Sequence, residues 1–316
     1  MSLKAVEAIK EGLDRLGTRN AVIIASAYFT LTILNASITD TVLARYSTFL
    51  QLPETSTTPL ALPIPGFIAG FLIIPLIAAS AAVGITALRV FASDERDLIP
   101  RKLYRENIGK AVLNVIVGGV AFGIVIALLA AIPLIPGILV GMTGMSLVGG
   151  ALTLVGLLFS IILVIAAVVK MYFWTAAVSI DDESFIQGYK TSWDLTEGNI
   201  ISVGILLLAI FVLSILVSMV FNIPSLIGLN IIGSIISSIG AAITSTLTSA
   251  VIASAYNQLK QGEDDQEDED YIYKGDSADD ESSEDSSEDG ESEGNDDEED
   301  TEKTDEESSE KKDESS

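Results

Sequence analysis

The 316-residue chain contains no cysteine and no histidine. Without cysteine there is no disulfide, no thiolate metal site and no thiol nucleophile. Without histidine the commonest general base, the commonest zinc ligand and the simplest pH switch are missing as well. Charge is also absent over long stretches. No Asp, Glu, Lys or Arg occurs in 111–169 or in 198–259, uncharged runs of 59 and 62 residues. A helix in water needs a polar face, and these runs offer none. They require lipid as solvent, and each is long enough for two crossings at ~20 residues apiece.

The charge that is present falls into two parts. Residues 1–262 carry 14 acids and 14 bases; residues 263–316 carry 29 acids and 4 lysines, the whole of the net −25. The predicted organisation is a transmembrane helical domain over 1–262 and a disordered acidic tail over 263–316. Little in the tail is apolar beyond Tyr271-Ile272-Tyr273, and dense like charge extends a chain. Three uses compete for it: solubilising a salt-adapted protein, docking a basic partner, or loosely holding divalent cations. No spaced calcium loop is present. Acidity of this style favours the first and points to a halophilic archaeon.

The hydropathy pattern predicts an all-α polytopic bundle of about six spans. Residues 2–20 read as an interfacial amphipathic helix, with Leu3, Val6, Ile9, Leu13 and Leu16 at helical spacing. The spans are expected over 21–38 (an uncleaved signal anchor), 66–88 with a kink at Pro75, 111–132, 147–169, 200–221, and within 226–255. Loop 39–63 is expected to hold one short helix near 42–50. Pro133 with Pro136, and then Asn222-Ile-Pro224, are expected to turn the chain. The pattern repeats as three helical hairpins, each entered through an interfacial segment.

Basic residues orient the bundle. Twelve Lys and Arg lie in the N-terminal segment and the 89–110 and 170–190 connectors, against Arg45 alone on the other side. Both termini are therefore expected in the cytoplasm of a multi-pass cell-membrane protein.

The segment entering the fifth span is the most informative. Phe185, Tyr189 and Trp193 recur every four residues, an aromatic stripe suited to the headgroup region. Thr196 or Asn199 is expected to cap the following helix, with Gly198 at the bend. Asp181, Asp182 and Glu183 are expected to act as N-terminal acids of this interfacial helix.

The pattern Ser192-Trp193-x-Leu195-Thr196-x-Gly198-Asn199, with Tyr256-x-x-Leu259-Lys260, resembles the membrane domain associated with some glycerophosphodiester phosphodiesterases. The likeness covers roughly residues 1–262. It implies the helical membrane fold and a structural role for those six motif residues. It does not imply phosphodiesterase activity, which resides in a separate soluble domain whose acid–base groups are histidines.

Two further sets have both a functional and a structural reading. Arg89, Arg96, Arg101, Lys102, Arg105 and Lys110 would contact anionic lipid headgroups, or would only set topology, since neighbouring acids partly neutralise them. Ser234, Ser237, Ser238, Thr244, Ser245, Thr248 and Ser249 would line a polar pore, or would serve helix packing together with the glycines of 137–156. Topology is the favoured reading of the first set and packing that of the second.

The expected role is structural or interactive within the membrane, with a transporter, channel or lipid-handling protein as the alternative. No enzyme activity, cofactor or metal site is expected. The expected partners are the lipid bilayer, a membrane protein and a basic partner of the tail, with no nucleic acid.

Overall fold

The structure, a computed structural model, describes residues 3–47, 60–93, 95 and 99–276. Arg96 and residues 277–316, most of the tail expected to be disordered, lie outside the described residues. The described residues are helical and contain no strand. The expected all-α bundle of six membrane-length helices is present.

An entry helix, α1 (Ala5–Leu16), leads into the first span, α2 (Arg19–Tyr46). The Thr18 hydroxyl accepts from the Ala21 amide and starts α2. This helix runs unbroken through the segment assigned to a loop beginning at residue 39, so the short helix expected near residue 42 is its continuation. The second span, α3 (Gly66–Ala92), keeps Pro75 inside it. The short α4 (Arg101–Arg105) precedes α5 (Ile108–Ala131).

Pro133 and Pro136 do not turn the chain. They sit in a 3-10 turn (Ile132–Leu134) and in the first turn of α6 (Ile135–Met142), where a missing N–H costs little. The reversal comes later, at Gly144 with φ +87°, and leads into α7 (Ser146–Lys170). After α8 (Trp174–Ile180) and the interfacial α9 (Phe185–Thr196) comes α10 (Ile200–Leu226). Pro224 is likewise inside α10 rather than in a turn. Gly228, at φ +86°, makes that turn. The last helix, α11 (Asn230–Asp276), continues past the expected body–tail boundary at 262.

Spans neighbour one another in sequence order: α2 on α3, α3 on α5, α5 on α7 and α7 on α10. α11 meets α10 at Gly233–Ser225 and Gly240–Phe221. It reaches α2 through Tyr28 Oη and Ser249 Oγ, 3.0 Å apart. α11 is also the most buried span, with 44% of its apolar window covered against 6–22% for the others.

Both clusters of buried apolar side chains lie toward the end of the bundle that carries the basic connectors. One joins Ala8 of α1, Phe173, Leu206 and Tyr256; the other joins Ile24, Phe91 and Ala253. In α1, Ala8 and Gly12 face the bundle while Val6 and Leu13 are exposed. The buried face is therefore rotated from the leucine-rich stripe read from the sequence. Small residues let α1 lie close: a Cβ on Gly12 would stand 2.5 Å from Val251.

Candidate functional site

Two regions concentrate polar side chains: a knot at the basic end and a cavity toward the opposite end.

The knot is built around Arg89, near the end of α3 and 7% exposed. Its Nε donates to the Ser179 carbonyl at 2.6 Å, and Nη1 to the Glu106 carbonyl at 2.7 Å and that of Leu103 at 3.3 Å. Nη2 donates to the Asp182 carboxylate. Turned inward and satisfied by protein acceptors, Arg89 has no free donor face for a headgroup. Arg101, Lys102, Arg105 and Lys110 remain on the surface. Lys102 faces Glu106 at 3.7 Å, and both line a recess of about 370 Å³ beside Arg89 and Asp182. With two bases against two acids, that recess is a poor anion site.

The acids at 181–183 have other duties than the one expected. Ser184 caps α9, its hydroxyl accepting from the Gln187 amide. Asp181 accepts from the Tyr256 hydroxyl and pairs with Lys260 at 2.7 Å. Asp182, at φ +57°, turns back to Arg89. Glu183 accepts from the Thr191 hydroxyl at 3.0 Å. The acids thus tie α3, α9 and α11 together.

The motif residues of 192–199 gather at the same end. Ser192 accepts from the Phe173 amide at 3.0 Å and donates to the Lys170 carbonyl at 2.9 Å, joining α9 to the end of α7. Thr196 donates to the Ser192 carbonyl at 2.6 Å, and Leu195 is buried in the first apolar cluster. Gly198 bends the chain at φ +80°. Asn199 stands at the N-cap of α10, but its side chain makes no cap bond. Its Oδ1 accepts from the Leu3 amide at 3.2 Å and holds the entry segment instead.

The aromatic stripe divides. Trp193 is 46% exposed, with the Lys170 ammonium 4.6 Å above its ring. Tyr189 turns inward, donates to the Gly118 carbonyl and packs on Trp174. Burial raises the pKa of its hydroxyl above the ordinary tyrosine value and keeps it a donor.

The cavity, of about 660 Å³, lies between α2, α10 and α11. Each helix gives it one face of polar and small residues, at i, i+4 spacing on α2 and α10. Thr32, Ala36 and Asp40 come from α2, and Ser214, Ser218 and Asn222 from α10. α11 contributes Ser234, Ser237, Ser238, Thr244 and Ser245. At 1.5 Å per residue, Thr32 lies about 20 Å along α2 and Ser245 about 22 Å along α11, so the floor reaches roughly mid-membrane. Below it is an apolar pocket of only about 40 Å³, where Ile9 of α1 meets Leu213, Leu247 and Val251. The cavity is therefore closed toward the basic end.

Most of the hydroxyls expected to serve packing in the sixth span line this cavity. Ser249 is the clear packing residue, through Tyr28. The three glycines Gly137, Gly149 and Gly156 do serve packing: a Cβ on each would fall 2.2–2.4 Å from neighbouring atoms. Asp40 and the α10 stripe were not singled out from the sequence. The four-residue spacing of Ser214, Ser218 and Asn222 within an apolar run was the signal available.

A family model described as Domain of unknown function (DUF7847) matches residues 3–259, and the chain belongs to that family. No curated protein and no solved structure matches the chain.

Proposed function

We propose that this DUF7847 protein handles a small polar solute through the cavity between α2, α10 and α11, as a transporter or a membrane solute receptor. The observation that carries the reading is the cavity itself. Three lipid-embedded helices each turn polar and small residues inward, with a carboxylate, Asp40, nearer the mouth. Its volume of about 660 Å³ suits one small organic molecule. The structural or interaction role expected from the sequence is the competing reading, and it predicts that the cavity stripe can be replaced without consequence.

We place the protein in the cell membrane with its basic end and acidic C-terminal segment in the cytoplasm, on the strength of the basic asymmetry. The cavity would then open outward. Reporter fusions after Glu54 and Gly262 should score outside and inside; the same side for both refutes the orientation. No turnover chemistry is proposed, and the likeness to the phosphodiesterase-associated membrane domain is proposed as one of fold alone.

The absence of native cysteine makes the cavity directly testable. In oriented vesicles, Ser237→Cys and Ser245→Cys should react with a small neutral maleimide added outside, while Leu208→Cys on the exposed face of α10 should not. Silence at both cavity positions would remove the proposed function.

A further inference from the structure

The hydrogen bonds inside the cavity bear on what it can hold, an inference that rests on the solute-binding reading above. A hydroxyl can donate one hydrogen and accept two, so the lining alone would suit either kind of ligand. Here four of the eight lining hydroxyls, those of Ser214, Ser234, Ser237 and Ser238, already spend their hydrogen on their own helix. Ser214 donates to the Ile210 carbonyl at 2.7 Å, Ser234 to Asn230 at 2.9 Å and Ser238 to Ser234 at 2.7 Å. The Asn222 amide nitrogen donates to the carbonyl and hydroxyl of Ser218, at 2.7 and 3.1 Å. What these groups turn toward the cavity is oxygen lone pairs and the Asn222 carbonyl. Nearer the mouth stands the Asp40 carboxylate, whose Oδ2 accepts from the Leu60 amide at 3.0 Å. No Lys or Arg lines the cavity among the described residues, and Asp40 forms no ion pair there.

We propose that the cavity binds a small organic cation bearing N–H donors, a primary ammonium or guanidinium compound, with Asp40 as its counter-charge. A carboxylate or phosphate is selected against, since it would meet the like charge of Asp40 and no basic side chain among the described lining residues. A quaternary ammonium is selected against for a different reason. It has no N–H to give, and among the described residues no aromatic ring lines the cavity to hold it by cation–π contact. A bare metal ion fits poorly, because one carboxylate at the rim of so wide a space cannot replace a hydration shell.

The test uses the full chain with Ser245→Cys in oriented proteoliposomes. Labelling rates are compared for a cationic and an anionic methanethiosulfonate reagent of equal size, with Asp40 intact and with Asp40→Asn. The cationic reagent should react faster, and Asp40→Asn should reduce the cation-to-anion rate ratio by about tenfold. Asparagine keeps an acceptor for the Leu60 amide, and recovery of monodisperse protein checks the fold. Ethylammonium should slow labelling at millimolar concentration, while acetate, glycerol and tetramethylammonium should not.

A ratio unchanged by Asp40→Asn overturns the ligand class while leaving the cavity reading standing. Equal protection by tetramethylammonium or acetate does the same. Failure of the neutral maleimide to label both Ser237→Cys and Ser245→Cys sinks the cavity reading itself.

Discussion

The two ends of this bundle are built on opposite principles. At the basic end, four short helices and the last turns of three spans fill the space, and hydrogen bonds span up to 243 residues of sequence. At the other end the spans α2, α10 and α11 leave about 660 Å³ among hydroxyls that bond mainly to their own helices. In lipid no hydrophobic force drives apolar faces together, so cohesion must come from close packing and polar contacts between helices. Where those contacts are concentrated the protein is a solid; where the hydroxyls that are bonded turn to their own helices, the helices are free to stand apart.

The comparison breaks most sharply at Arg89. Arg89→Met leaves the Asp182 carboxylate and three backbone carbonyls without their shared donor, a loss of about 3–5 kcal/mol for a pair of this kind. Recovery of folded protein from detergent should fall severely, and Tm with it. A normal melting curve would mean that the basic end does not depend on its knot.

Gly156→Ala tests cohesion of the other kind. Its new Cβ would stand 2.2 Å from the Pro133 carbonyl oxygen, so the α6–α7 hairpin must spread at a cost of about 1–3 kcal/mol. Gly150→Ala, with open space around it, is the matched control and should leave Tm unchanged.

Asn199→Ala removes the acceptor for the Leu3 amide, worth about 1 kcal/mol. The expected readout is local: faster proteolysis ahead of α1 with little change in Tm. The smallest effect should come from Ser237→Ala in the cavity wall, within about 0.5 kcal/mol on stability. A large loss there would show the hydroxyl stripe to be glue, and the contrast between the two ends would dissolve.

Hydropathy alone located the six spans because the cost of exposing backbone to lipid leaves few alternatives. Their ends were harder to read. Pro133, Pro136 and Pro224 look like turn makers, yet proline is tolerated in a first turn or where neighbours absorb the lost bond, and Gly144 and Gly228 make the reversals. The six bases of the 89–110 connector look equivalent in sequence. Only the partners from α4 and the 179–182 segment make Arg89 different, and nothing local announces them. The serines of α11 read equally well as packing or lining until the positions of α2 and α10 are known. Asp40 was missed because a charged residue after an 18-residue apolar run reads as the start of a loop, whereas α2 continues to Tyr46.

The placement of α1 sets a timetable for synthesis. It is made first, yet Leu3 bonds to Asn199, 196 residues away, and Glu11 bonds to Ser254, 243 residues away. At ~5–20 residues per second, the ribosome needs about 12–50 s to deliver Ser254 after Glu11. For that interval α1 must wait at the membrane surface without the α11 residues that its small-residue face packs on. The arrival of α11 is then the step at which the nascent protein closes, and an interruption within the last span would leave α1 and α2 without their partners on it while pairs such as α2–α3 and α6–α7 are already made.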